Sequence, residues 1–346
     1  MTEPIRLAEL TTLRLGGPTT ALVEVTTTDE LVEAVRAADE SGTPLLLVGG
    51  GSNLVVSDEG FPGTVVHIAT SGIRLNADAC SGATVTVAAG EGWDDLVAHA
   101  VDQGWLGVEA LSGIPGSVGA TPIQNVGAYG QEVADTVACV RCWDRVGRAY
   151  RTFSVAECGF GYRTSRFKED PGHFVVLEVT FQFRMGDLAE PVEYGELARS
   201  LGVPLGQRVP ARAVRESVLA LRRRKGMVLD GSDHDTWSAG SFFTNPVLDA
   251  GQAADLPEDA PRWELPDGSV KTSAAWLIEH AGFSKGHGDG RVRLSTKHTL
   301  ALTNRGGAST VELLALAREV QKGVLDRFGV RLVNEPVLVG CELSAG

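Results

Sequence analysis

PLLLVGGGSNLVV (residues 44–56) is the stretch on which the fold turns. An apolar run of strand character enters three glycines, and a second strand-like run, LVV, leaves them. A dinucleotide fingerprint needs a strand, glycines at G-x-G-x-x-G spacing, and then a helix N-terminus to face the phosphates. No helix pattern follows Asn53, and no Walker A run occurs anywhere in the chain. What remains is a glycine turn between two strands. Its successive amides can converge on an anion; a tight turn with no ligand is the plainer alternative.

Outward from this turn, strand and helix signals alternate. ALVEVT (21–26) is rich in β-formers. Thr27 and Glu30 then have the spacing of a capping box, Leu31, Val35 and Ala38 repeat at helical spacing, and Gly42 stops the helix. TVVHI and TVTVAAG (84–90) read as strands, and 93–103 as an amphipathic helix ended by Gly104. VACVRCW and RAYRTF, separated by DRVG, read as a hairpin, and FVVLEVTFQF (174–183) as a strong strand. Helical patterns follow at 210–224, at 272–281, and from Ser309, where Glu312 completes a second capping box. VRLVNEPVLVG (330–340) reads as a final strand, and the Asp-, Pro- and Gly-rich stretch 250–270 as a surface connection.

The chain has 346 residues, which at about 150 per domain predicts two or three domains. Its net charge of −13 argues against a phosphate-backbone binder, so no nucleic acid is expected as a partner. No apolar run approaches the length of a spanning helix, so no membrane insertion is expected. MTEPIRLAEL at the start shows no basic segment leading into an apolar one. Five scattered cysteines fit a reduced, cytoplasmic protein. Cys139 and Cys142 fall in a predicted strand where their side chains alternate in face, with no second pair. Neither a zinc site nor a thioredoxin-like site follows, and no metal is expected.

A second glycine cluster, SGIPGSVGATPIQNVGAYG (112–130), is long for a loop inside a compact domain, and its apolar residues argue for order. Two glycine loops with small polar side chains suit the pyrophosphate of a long nucleotide cofactor, since glycine lets backbone approach phosphate closely. A structural Ω-like loop is the alternative.

Six segments then occur in order: GGGSNLVV (49–56), IPGSVGATPIQNVGAYG (114–130), FGYRTSRFK (160–168), AGSFFTNP (239–246), LSTKHTLALTN (294–304) and NEPVLVG (334–340). Together, over nearly the whole chain, they resemble the UDP-N-acetylenolpyruvoylglucosamine reductase family. TTLRLGG (11–17) is similar to that family's opening segment. The resemblance implies an α+β fold with a vanillyl-alcohol-oxidase-type FAD-binding module and a separate α/β substrate-binding domain. The divisions it implies are 1–70 with 328–346 returning to it, 71–226, and the substrate domain 227–327. RLNADACSG (74–82) has no counterpart in the family pattern.

The implied reaction is the NADPH-dependent reduction of UDP-N-acetylglucosamine enolpyruvate to UDP-N-acetylmuramate, in peptidoglycan precursor synthesis, by a protein expected to be a monomer. The implied FAD contacts are Gly49, Gly50, Gly51, Ser52, Asn53 and Leu54 on the first loop. Ile114, Pro115, Gly116, Ser117, Gly119, Ala120, Gln124, Asn125, Gly127 and Ala128 supply the second. No His or Cys sits in GGGSN to carry a covalent flavin, so FAD is expected to be non-covalent.

Hydride addition to the vinyl carbon builds negative charge beside the substrate carboxylate, which calls for fixed donors and one positioned acid. Arg163, Glu335 and Ser241 match the family's carboxylate-binding arginine, its second electrostatic residue and its proton donor. A planar guanidinium suits a carboxylate, and Glu335 would have to hold or share a proton to help an anion. By residue type alone each has a plainer reading: a surface ion pair, an edge-strand glutamate, a turn serine. Tyr162, Lys225, Asn245, Lys285 and His298 match substrate contacts, and Tyr194 matches the loop tyrosine of the subclass that clamps its substrate. The rival classes are another FAD-linked small-molecule oxidase or dehydrogenase of the same fold, and a non-catalytic flavin or UDP-sugar binder.

Overall fold

The computed structural model describes residues 5–78 and 82–343. Backbone contacts divide them into two compact units. One comprises 20–50 and 63–224; the other comprises the residues up to 19, 51–62 and those from 225 onward.

The first unit holds two larger sheets and a short hairpin among the described residues. A three-stranded sheet has the order Thr19–Val25, Phe61–Ile68, Leu45–Val48, the last two parallel with Leu45 opposite Thr64. Helix Thr28–Ser41 accompanies it, with both halves of the Thr27–Glu30 capping box formed and Gly42 in the left-handed conformation. The larger sheet is antiparallel, in the order Ala149–Ser154, Val137–Asp144, Phe174–Met185, Gly82–Ala88, Ile73–Asp78. Phe174–Met185 is central, and Val179 and Phe181 alternate with half-buried Thr180 and Gln182 along it, as a sheet with one buried face requires. That face packs with helix Trp93–Asp102 through Val85, Val87, Trp93, Leu96 and Val97. A second apolar cluster gathers helix Ala211–Arg224 (Val214, Val218, Leu221) with Ala189, Val192 and Leu197.

The second unit is built round helix Thr310–Phe328, capped as expected by Ser309 with Glu312 and ended by Gly329. Leu313, Ala317, Val320 and Val324 bury one side of it against Leu277, Ile278, Leu294 and Leu302. Leu54–Val56 and Val337–Val339 pair in parallel.

Three local expectations change. The stretch 330–340 is regular strand only at Val337–Val339; Pro336 lacks the N–H that a ladder needs at its position. The 250–270 stretch is not a bare connection. It forms helix Ala250–Ala254 and strand Arg262–Glu264, and runs into strand Val270–Thr272, which Val247–Leu248 joins in an antiparallel sheet. Leu256 and Ala260, lost among turn-forming neighbours in the sequence, are buried there. The glycine segment 112–130 contains a 3-10 turn (Val118–Ala120), a single helical turn (Thr121–Gln124) and a short hairpin.

Residues 79–81 of the 74–82 segment lie outside the described residues; the segment opens inside strand Ile73–Asp78. Cys142 is buried and Cys139 half-buried in Val137–Asp144, and burial pushes the Cys142 thiol up. Among the described residues no helix is long and apolar enough to cross a membrane.

Candidate active site

In the first unit the two glycine loops meet. A Cβ on Gly49 would stand 2.2 Å from Ser117 Oγ, and one on Gly50 would stand 2.7 Å from Gly116 Cα. At Gly50 two backbones approach at a distance that only glycine allows, and Gly49 packs on the Ser117 side chain. Ser117 pairs with Gly92 in an isolated bridge, and Gly119 N–H donates to Ala89 O, 2.8 Å. Ser117 and Gly119 are buried, Ile114, Pro115 and Gly116 half-buried, and Ala120 exposed. Gln124, buried, closes the helical turn that follows.

The loop ends in the hairpin Gly127–Ala128 with Gln131–Glu132. Tyr129 and Gly130 at its tip have φ of 51° and 90°, the signs of a primed two-residue turn. Arg163 is docked on this hairpin. Its guanidinium donates to Gly127 O at 2.6 Å and to Asn125 O at 3.2 Å, and lies 5.5 Å from the ring centre of its neighbour Tyr162. A Cβ on Gly127 would lie 2.9 Å from Glu132 Cγ and 3.0 Å from Arg163 Nη1 and from Gln131 O, so a side chain there would crowd the docked guanidinium. Arg163 itself has φ of 54°. Left-handed backbone at a non-glycine residue costs energy and collects at functional sites. Of the five such residues described, Asn125, Tyr129 and Arg163 fall in this one place.

Sequence reasoning missed Tyr129. Its ring meets Tyr194 edge to face, and burial pushes its phenol up to about 12 against the pull of Arg222. The Tyr-Gly pair at a hairpin tip was the available signal. Tyr194 precedes helix Gly195–Leu201 and is 45% exposed.

The second unit gathers the rest. Gly51 has φ of 58°, and a Cβ there would overlap Leu10 O at 1.7 Å. Its carbonyl accepts from Thr12 N–H, 3.2 Å, and Thr12 Oγ1 donates to Ser238 O, 2.7 Å. Ser52, Asn53 and Leu54 are half-buried. Asn53 Nδ2 donates to Glu335 O, 3.4 Å, and Asn53 O accepts from Val337 N–H, 2.9 Å. Glu335 N–H donates to Phe242 O at 2.8 Å, and Phe242 N–H to Leu300 O at 2.8 Å. Three of the quoted segments, 239–246, 294–304 and 334–340, are therefore stitched together beside Ser241. Both Ser241 and Glu335 are half-buried. Asn245 Oδ1 accepts from Ala274 N–H, 3.0 Å, at the start of helix Ala274–His280. Lys225 and His298 are half-buried, whereas Lys285 is exposed.

Asp235 anchors this assembly from behind. It is buried, and accepts from Thr296 N–H (2.8 Å), Thr296 Oγ1 (2.6 Å) and Arg305 Nη1 (2.8 Å). Burial alone would raise its carboxyl; the bonds from Thr296 and Ser295 and the charge of Arg305 hold it below the ordinary value.

The glycine loops fit a phosphate-bearing cofactor. Gly50 carries no side chain and faces the backbone of Gly116, and the N–H groups of Gly49, Gly50, Gly116 and Ser117 donate to no acceptor among the described residues. A family model described as FAD binding domain matches residues 19–152, and one described as UDP-N-acetylenolpyruvoylglucosamine reductase, C-terminal domain, matches 232–339. The UDP-N-acetylenolpyruvoylglucosamine reductase of Cutibacterium acnes is 58% identical over 344 residues, covering 99% of this chain and 91% of that one. The protein of that name from Streptomyces coelicolor is 57% identical, covering 97% and 90%. The crystal structure of UDP-N-acetylenolpyruvylglucosamine reductase (MurB) from Thermus caldophilus superposes with a TM-score of 0.66 at 27% identity, covering 97% and 98%. The α+β architecture with an FAD-binding domain is thus borne out, and the chain is a flavoenzyme belonging to the UDP-N-acetylenolpyruvoylglucosamine reductase family.

Proposed function

We propose that the protein reduces the enolpyruvyl ether of UDP-N-acetylglucosamine to the lactyl ether of UDP-N-acetylmuramate, with NADPH as co-substrate, in the cytoplasm and as a monomer. FAD, when bound, supplies the hydride carrier between NADPH and the vinyl carbon. Gly49 to Leu54 and the 114–128 loop, through Ile114, Pro115, Gly116, Ser117, Gly119, Ala120, Gln124, Gly127 and Ala128, hold the cofactor, while Asn125, the further contact that the resemblance implies, has its side-chain amide bonded to Glu132, Gly161 and Ala134.

The remaining work falls to side chains. As hydride reaches the terminal carbon, an electron pair moves onto carbon-2 and into the carboxylate. Arg163 takes that carboxylate, and a docked guanidinium needs little reorganisation to do so. Glu335 is the second electrostatic residue at the same developing charge, and the Ser241 hydroxyl delivers a proton to carbon-2. Lys225, Lys285, Asn245 and His298 take the diphosphate and uridine end, with Tyr162 and Tyr194 closing over the substrate. The domain division 1–70 with 328–346, 71–226 and 227–327 belongs to the same reading.

The observation that carries the reading is the Glu335 N–H bond to Phe242 O. It brings the NEP motif beside the serine motif, as a shared task requires. The test is the visible spectrum of the purified protein. A yellow protein bleached by NADPH and re-oxidised by the enolpyruvyl substrate, its colour released entirely into the supernatant on acid precipitation, is expected. Rapid re-oxidation by oxygen with indifference to the UDP-sugar would replace the reductase with an oxidase.

A further inference from the structure

Asn125 stands in the middle of the second glycine loop, yet its polar atoms all face the protein. It is buried, with φ of 43° and ψ of 65°, and closes the helical turn Thr121–Gln124. Asparagine is among the few residues that adopt this conformation readily. One Nδ2 hydrogen goes to Glu132 Oε2, 2.8 Å, and the other to Gly161 O, 3.0 Å. Oδ1 accepts from Ala134 N–H, 3.2 Å, and the main-chain oxygen accepts from Arg163 Nη1, 3.2 Å.

Two of these bonds bracket Arg163. Gly161 and Thr164 exchange N–H···O bonds in both directions, 3.1 and 3.3 Å, closing a tight turn with Arg163 at its left-handed corner. The Asn125 amide holds the base of that turn at Gly161 O, while the Asn125 carbonyl holds the tip of the Arg163 side chain. Lys168 Nζ adds a bond to Arg163 O, 2.8 Å. One residue thus references both ends of a long, flexible side chain to the same point. Glu132, which holds the Asn125 amide, lies on the same hairpin as Gly127, whose carbonyl is the guanidinium's second acceptor.

We infer that Asn125 is a positioning residue for Arg163, setting the guanidinium for the substrate carboxylate. The inference rests on the role proposed above for Arg163. Asn125 touches neither reacting atom; it acts through the turn 161–164. A guanidinium displaced by about 1 Å from its working place costs on the order of 10²-fold in rate.

Asn125→Gly tests this, because glycine keeps the left-handed backbone and removes only the amide. Amide hydrogen exchange, read by mass spectrometry on the 159–166 segment, should speed up by about tenfold, the scale of one lost hydrogen bond. NADPH should bleach the bound flavin at the parent rate, and re-oxidation by the enolpyruvyl substrate should slow by about 10- to 100-fold. In an Arg163→Ala background the same substitution should add almost nothing to the slowing, since coupled residues are not additive.

Unchanged exchange at 159–166 would overturn the inference. So would flavin loss with unchanged exchange, which assigns Asn125 to the cofactor instead. Full additivity of the two substitutions would leave Asn125 a general stabiliser. If Arg163→Ala alone re-oxidises normally while exchange in Asn125→Gly speeds up, the role of Arg163 falls, and with it the catalytic meaning of the turn.

Discussion

Tyr129 and Tyr194 meet edge to face, with ring centres 5.4 Å apart and an interplanar angle of 85°. One ring stands at the tip of the 127–132 hairpin and the other at the entrance to helix Gly195–Leu201, so the contact ties the proposed clamp to the loop that docks Arg163. Such a pair is worth about 0.5–1.5 kcal/mol beyond its burial. Tyr129→Ala should therefore raise KM for the UDP-sugar by about 2- to 10-fold with flavin reduction by NADPH unchanged. An unchanged KM would free Tyr194 from this support. The Tyr129 phenol, raised to about 12 chiefly by burial, also gives a spectroscopic marker. Its folded value lies above the unfolded one, so its contribution to stability is whole below about pH 10 and disappears as pH climbs toward 12. Alkaline ultraviolet titration should show a late tyrosine that Tyr129→Phe removes.

Ser241→Ala should fold, bind flavin and be bleached by NADPH at close to the parent rate, because that half of the reaction needs no proton at carbon-2. Re-oxidation by substrate should slow by about 10²–10⁴-fold, the usual worth of a positioned acid. Ser241→Cys should retain part of the activity. Stopped-flow flavin absorbance separates the two halves. A normal second half in the alanine variant would move the proton to another donor.

Lys225 and Lys285 are predicted to share the diphosphate. Removal of either to Ala should raise KM by about 10- to 100-fold, the loss expected for a hydrogen bond to a charged group. Flavin reduction should not follow. Steady-state kinetics with both variants checks this, and two unchanged KM values would relocate the diphosphate.

Asp235 provides an acid-side prediction. Its folded value lies below the unfolded one, so its contribution is present above about pH 4 and is lost as pH falls through the folded value. Asp235→Asn should lower the urea midpoint at pH 7 and flatten the dependence of that midpoint on pH between about 5 and 3. A variant that keeps the parent slope would show that other carboxylates carry the acid limb.

Much of the frame was readable from local chemistry. Thr27 with Glu30 and Ser309 with Glu312 form the capping boxes their spacing announced, because a cap depends on residues three apart. The strand–glycine–strand character of 44–56 was local too. The sheet within 247–272 was not, since its turn-rich composition hides strands only two or three residues long. The site divides in the same way. The family resemblance of the motifs pointed to Arg163, Ser241 and Glu335, which residue type alone does not single out. The partner that holds Arg163 in place was hidden, because Asn125 and Gly161 meet only through tertiary structure.

The parallel pair of Leu54–Val56 with Val337–Val339 fixes when this protein can finish folding. Its two strands are separated by about 280 residues of chain. At about 5–20 residues per second, the earlier one emerges from the ribosome roughly 15–60 s before its partner exists. The unit formed by 20–50 and 63–224 is fully synthesised well before that moment. Val55 and Val56, both buried at the end, must wait solvent-exposed or chaperone-shielded while the rest is made. Loss of Val337–Val339 would therefore leave Leu54–Val56, made so much earlier, without its strand partner.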